Sequence, residues 1–217
     1  MATQLYDIEF MKFRFLTLIL FLNTLSAFSQ FDPTLWQKVS IKHSLNSGIT
    51  LTHEFHARER VSEGRFALGI YRPWITKKYS KIHTVQFSPI AVVYRNVNGK
   101  TQLEWRSSMW NEWKLNYGKV DWLNRVGVEG RLVGDQTQVR VRGRLGVKYS
   151  LKRSSLLLTD EQFFNTNLKN HLRQNWLTGQ WDITIFQRHK VQLGVQYIIE
   201  NSKYKNTLFY TGLGFSL

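Results

Sequence analysis

The chain has 217 residues, enough for one domain, and carries thirty Lys and Arg against fifteen Asp and Glu, a formal net charge of +15. It contains no cysteine, so disulfide frameworks, thiol nucleophiles and cysteine-ligated metals are excluded. Aromatic residues make up 14 %, with eight Trp and nine Tyr, a level high for a soluble protein and ordinary where amphipathic rings girdle a bilayer interface.

Residues 1–29 read as a secretory signal. Lys12 and Arg14 form its positive region, Phe15 to Leu22 its apolar stretch, and Ala27-Phe28-Ser29 places small residues where signal peptidase reads, predicting cleavage after Ser29. Met11 is the expected start, because Asp7 and Glu9 sit awkwardly ahead of such a signal. Removing this segment takes away two cations and two anions, so the mature chain keeps its basic balance. The apolar run is too short to span a bilayer as a helix, and no later stretch approaches twenty apolar residues. A mature chain in a membrane would therefore cross it as strands.

After the signal, period-two alternation fills residues 30–217. Trp36 to Leu45 and Ile49 to Arg60 flank the turn Asn46-Ser47-Gly48, and the second run sets Thr50, Thr52, Glu54, His56 and Arg58 against Leu51, Phe55 and Ala57. Arg65 to Ile75 follows, with Phe66, Leu68 and Ile70 as its apolar row, then His83 to Arg95, which ends at the turn Asn96-Val97-Asn98-Gly99. Thr101 to Tyr117 is long and rich in Trp, and reads as one strand or as a strand with an irregular part. Val120 to Val133 alternates Arg125, Glu129 and Arg131 against Val126, Val128 and Leu132. Beyond Gly134-Asp135 the ladder from Gln138 to Lys148 is the clearest of all, with Arg140, Arg142, Arg144 and Lys148 on one face and Val139, Val141, Leu145 and Val147 on the other. Ser154 to Asn165, His171 to Phe186, Lys190 to Glu200 and Asn206 to Leu217 complete about eleven candidates. Only Pro33, Pro73 and Pro89 are present, in keeping with a chain that is nearly all ladder.

Alternating strands along almost the whole chain, behind an export signal, predict an all-β fold: a transmembrane antiparallel up-and-down β-barrel, polar inside and apolar outside. A barrel with both termini on the periplasmic side needs an even count, so ten or twelve strands are expected, with the uncertain assignment in residues 65–117.

The last residues, Tyr210-Thr211-Gly212-Leu213-Gly214-Phe215-Ser216-Leu217, resemble the assembly signal of outer-membrane barrels, with Leu217 where an aromatic residue is commoner. Asn124 to Leu132 is similar to an Arg-x-x-x-Glu-x-Arg strand of one family, and Val141 to Tyr149 to its following Arg-rich strand. Asp160-Glu161-Gln162-Phe163-Phe164-Asn165, then Arg173-Gln174-Asn175 and Gly179, resembles that family's Asp-Glu-x-Phe-x-Asn … Gln-Asn-Arg-x-x-x-Gly pattern, with Trp176 in place of the usual arginine. The family is the Bacteroidetes-type outer-membrane family known as domain of unknown function 2490. The resemblance covers the C-terminal half well and the N-terminal half in general character. It implies a fold and a location and carries no activity.

Arg125, Glu129, Arg131, Arg140, Arg142, Arg144, Lys148 and Glu161 are the charged residues expected to face the lumen, with Glu54, Glu104, Glu129 and Glu161 available to neutralise the arginines. Two readings stand: a salt-bridged plug of side chains, favoured by the narrowness of a barrel this size, or an anion-attracting constriction. The six histidines are scattered and show no metal-ligand spacing; His53 and His56 differ in parity and belong on opposite faces. Ser107, Ser108, Ser154 and Ser155 sit in no Gly-x-Ser-x-Gly elbow, so neither catalytic residues nor a metal or cofactor is assigned. Trp105, Trp110, Trp113, Trp122, Trp176 and Trp181 are expected in the interface girdle rather than on a binding platform.

The chain is thus expected in the bacterial outer membrane, as a monomer and not an enzyme. It would be structural or a narrow passage for small, anionic solutes. Its partners would be outer-membrane lipid and lipopolysaccharide, with the barrel-assembly machinery engaged through the last strand; nucleic acid is not expected, because the cations are spread over many strands. Two rivals remain: a lipid-modifying outer-membrane enzyme, which needs a Ser/His pair at one rim, and a soluble periplasmic lipid-binding barrel, which needs the aliphatic rows inside and the arginine rows wet.

Overall fold

The computed structural model describes residues 34–216 apart from 46–47, 61–64, 96–98, 135, 167–171, 186–188 and 201–202. The signal segment, the Asn46-Ser47 and Asn96-Val97-Asn98 turns, His171 and Leu217 lie outside the described residues.

The described residues form eleven strands: β1 (Thr34–Ser44), β2 (Ile49–Arg60), β3 (Arg65–Lys78), β4 (His83–Arg95), β5 (Thr101–Tyr117), β6 (Val120–Val133), β7 (Gln136–Ser150), β8 (Ser154–Asn165), β9 (Leu172–Ile185), β10 (His189–Glu200) and β11 (Lys203–Ser216). Each pairs antiparallel with the next, and β1 closes against β11 to complete a barrel. No edge is left with unpaired backbone groups.

The closing pair corrects the expected even count. β1 and β11 run parallel, from Thr34 opposite Leu208 to Lys42 opposite Ser216. An odd number of up-and-down strands brings the first and last into the same direction, and a parallel ladder between them shuts the barrel as fully as an antiparallel one. All eleven sequence candidates are strands, including the three in the doubtful region 65–117; β5 is continuous for 17 residues.

Every connection is six residues or fewer. Gly118-Lys119 joins β5 to β6 as a two-residue turn, with Gly118 at φ +65°, a conformation costly for any residue with a Cβ. Gly134 plays the same part at φ +56° between β6 and β7.

The parity of every strand sends one row inward and one outward. On β7 Arg140 and Arg142 are buried while Val139 is 37 % and Leu145 63 % exposed. The aliphatic row faces out and the arginines face in, the reverse of what a soluble lipid-binding barrel requires. Outward aromatic residues gather near the rim where β1 ends, here the second rim: Tyr79, Trp113, Tyr117, Trp122, Tyr149 and Trp181. Trp105, Phe164 and Tyr197 lie toward the first rim, where β1 begins. From Val139 to Tyr149 on β7 is ten residue steps. At about 3.4 Å per residue and a tilt near 40° that is roughly 26 Å along the barrel axis.

Two local departures have physical causes. Leu68 and Ile70 on β3 were expected in an outward row, yet they point inward and form an apolar cluster with Ile90, Val92 and Tyr94 of β4. This cluster lies beside the charged strands, with Ile90 across the ladder from Arg106 and Val92 from Glu104, where an unpaired polar group would find no solvent. The β3–β4 ladder is interrupted between the pairs Tyr71–Ala91 and Ile75–Phe87. Continuing the register across the gap sets Pro73 opposite Pro89, and neither proline has an N–H to donate.

Candidate functional site

With only short connections at both rims, the concave surface of this protein is its lumen. Arg125, Glu129 and Arg131 on β6, Arg140, Arg142, Arg144 and Lys148 on β7, and Glu161 on β8 all occupy inward positions. Six of these eight enter one ion-pair chain; Arg125 donates to Gln86 instead, and Lys148 stands apart, half-buried toward the second rim.

The arrangement is built on three buried glutamates. Glu104 of β5 accepts from Arg106 Nε at 2.9 Å and from Arg131 Nε at 2.5 Å. Glu129 is 0 % exposed and accepts from Arg140 Nε at 2.8 Å and Arg142 Nη1 at 2.7 Å, with Arg106 Nη1 3.9 Å away. Glu161 accepts from Arg142 Nε at 2.9 Å and Arg144 Nε at 2.9 Å. The register makes this possible: Glu129 lies opposite Arg140 and Glu161 opposite Arg144, so each carboxylate meets a guanidinium directly across the ladder and shares the diagonal one. A continuous chain of charge therefore crosses four strands, from Arg131 on β6 through Glu104, Arg106, Glu129 and Arg142 to Glu161 and Arg144.

Aromatic rings fill the gaps in this chain. Arg142 has its guanidinium 4.7 Å from the centre of the Trp110 ring and 4.4 Å from that of Phe163, and Arg125 stands 4.1 Å from Trp110. Trp110 is 1 % exposed and lies directly across from Gly127, where a Cβ would come within 2.4 Å of its ring. Glycine at 127 is what lets the indole lie against the β6 backbone. Trp176 packs on Phe163 with ring centres 4.4 Å apart. Trp110 and Trp176 are thus lumenal, which corrects their assignment to the girdle: both occupy inward-parity positions, and a Trp in a polar lumen gains cation–π partners that a count of tryptophans does not reveal. Trp105, Trp113, Trp122 and Trp181 do face outward.

A second, smaller polar group sits on β1–β3. Trp36 Nε1 donates to His56 Nδ1 at 3.0 Å, and Trp74 Nε1 donates to Glu54 Oε2 at 2.9 Å. Because an indole only donates, His56 Nδ1 must be the acceptor, which leaves Nε2–H to donate to Glu54 Oε2 at 3.3 Å. His53 faces outward against Tyr71, as its parity requires. Between this group and the arginine chain lies a lumenal cavity of about 310 Å³ that extends into the second-rim half, at Thr52, Thr76 and Leu157. Arg58, already on the polar row of its strand in the sequence, belongs to the lumen, as do Arg72, Arg106 and Trp74, which were not singled out. Their even positions on β2, β3 and β5 were the available signal, weakened on β3 by the inward Leu68 and Ile70.

No group of three or more His, Asp or Glu able to hold a metal occurs among the described residues. Ser108 and Ser155 are buried inward, whereas His43, His53, His83 and His189 lie on outward-parity positions, so these serines and histidines are on opposite sides of the wall. No helix among the described residues is long and apolar enough to cross a membrane, a statement that does not bear on strands.

The fold and the lumen define a closed, eleven-stranded β-barrel whose interior is laced by Arg–Glu ion pairs. Residues 34–208 match the family described as a protein of unknown function, DUF2490, and the chain belongs to that family. No curated protein matches it.

Proposed function

We propose that this protein is a transmembrane β-barrel of the bacterial outer membrane, exported by residues 1–29 and assembled through β11. In this reading it sits as a monomer among lipid and lipopolysaccharide, and it is structural or passes small anionic solutes through a narrow lumen. The observation that carries the reading is the segregation of the wall. Aliphatic residues such as Leu145, Leu158 and Leu193 are exposed outward between two groups of aromatic side chains, while eight arginines point inward among the described residues. A monomer in water rarely exposes a continuous apolar band, whereas a bilayer requires one. Asp160 is an exception within the band, flanked across the ladders by Leu145 and Leu177.

The ion-pair chain favours a constricted interior over a wide pore. Glu104, Glu129 and Glu161 each hold inward guanidinium groups, and Ile70, Ile90 and Val92 fill the lumen beside them on β3 and β4. The test is membrane fractionation combined with heat-modifiable gel mobility. Recovery in the outer membrane, with a band that shifts on boiling, supports the reading; a soluble protein without the shift refutes it. Lipid hydrolysis by the purified protein would instead favour the enzymatic alternative.

A further inference from the structure

The lumen holds more guanidinium groups than its carboxylates serve. Among the described residues, Arg106, Arg131, Arg140, Arg142 and Arg144 share Glu104, Glu129 and Glu161 at close range. Among the described residues Arg72 pairs with Glu54 alone, at 4.0 Å. Arg125 has no carboxylate within 4.0 Å among the described residues; it donates from Nη2 to Gln86 at 2.7 Å and lies across the ladder from Glu112 without an ion pair. The Nε groups of both Arg72 and Arg125 are buried with no hydrogen-bond partner. A buried guanidinium with unmet donors is costly, and an anion placed against it removes that cost.

Both arginines line the 310 Å³ cavity, together with Lys38, Trp36, Trp74 and Glu54. Both lie close to one indole, with Arg72 5.3 Å and Arg125 5.0 Å from the centre of the Trp74 ring. The volume is at the low end of small-molecule sites. Gln180 and Gln196 also line it. Together with Glu54 they offer acceptors to hydroxyl groups, while the indoles offer flat apolar faces. Lys42, Lys114, Lys148 and Lys190 occupy inward-parity positions at the second rim, and a cationic mouth raises the local concentration of anions.

We propose that this cavity binds a small hydroxylated oxyanion, a sugar acid or a sugar phosphate. Its acidic group is held by the guanidinium charge of Arg72 and Arg125, and its body lies against Trp36 and Trp74. The site deepens the narrow-passage reading and rests on it for the route by which a solute arrives.

The experiment is a titration of the full chain in detergent micelles, followed by tryptophan fluorescence and calorimetry, with glucuronate, glucose 6-phosphate, inorganic phosphate and glucose. Saturable binding of at least one of the two acidic sugars, tighter than inorganic phosphate and absent for glucose, is expected. The better of the two distinguishes carboxylate from phosphate recognition. Arg72→Gln and Arg125→Gln should each weaken it by roughly tenfold or more, and Arg153→Gln in the β7–β8 turn should leave it unchanged. Should a glutamine variant fail to give the heat-modifiable form, the lysine variants keep the charge but lose the planar fork, and a several-fold weakening is expected of them. No saturable binding of either acidic sugar, equal binding of glucose, or folded variants that bind like the parent protein would overturn the site. Fractionation is read separately, so a barrel found in the membrane without binding removes the site alone, and binding by a soluble barrel removes the location alone.

Discussion

Replacing Glu129 with glutamine tests the reasoning about the lumen most directly. The carboxylate has no exposed surface, accepts from Arg140 and Arg142, and lies 3.9 Å from Arg106. Glutamine preserves the volume and one acceptor but removes the charge that three guanidinium groups share. Cutting one partner out of a buried pair costs about 3–5 kcal/mol, because the remaining charge stays buried without compensation. Lys114→Ala provides the contrast: its ammonium meets Asp121 at 2.9 Å but is 46 % exposed, and the buried Asp121 still accepts from Asn116 at 2.7 Å, so a smaller loss than that of Glu129→Gln is expected. Urea unfolding of both variants in the same detergent, with the slope checked for constancy, measures the two losses. The double variant Glu129→Gln/Arg140→Gln should recover part of the first loss, as coupling across a direct pair requires. A Glu129→Gln protein within about 1 kcal/mol of the parent would refute the view that the ion-pair chain holds the lumen together.

Gly127→Val should displace Trp110, whose ring would meet the new Cβ at 2.4 Å; a loss of about 1–3 kcal/mol and a changed near-ultraviolet circular dichroism spectrum are expected. At Gly118 nothing lies within 4 Å of an added Cβ, so Gly118→Val should cost only backbone strain, about 1–2 kcal/mol in chemical denaturation, and Gly118→Asn markedly less. Leu145→Arg separates lipid from water outside the barrel. In a bilayer the change should destabilise by about 2–4 kcal/mol near mid-depth, whereas an exposed site in water should shift by no more than about 0.5 kcal/mol in the same unfolding assay.

The amino-acid order by itself determined the strands and their two faces. Side chains alternate every residue in extended backbone, so the row Arg140, Arg142, Arg144 and the row Val139, Val141, Leu145 part company whatever the strand pairs with. The turns were legible for an equally local reason, since Gly118 and Gly134 adopt a backbone conformation that disfavours other residues. That Glu104, Glu129 and Glu161 serve the arginines was also within reach, because acid and base fall on inward positions of neighbouring strands. Parity alone could not say how the ring closes. β1 meets β11 only through a register between residues more than 170 positions apart, and that closure is parallel because the count is eleven. Parity put Trp110 and Trp176 on inward positions but could not say what receives them there. Trp110 lies against Gly127 opposite it on β6, and Trp176 packs on Phe163 of the neighbouring strand β8. The surplus of guanidinium over carboxylate around the cavity emerges only when β2, β3 and β6 are brought round to face one another, since ion pairing depends on distance through space, which the closure of the sheet decides.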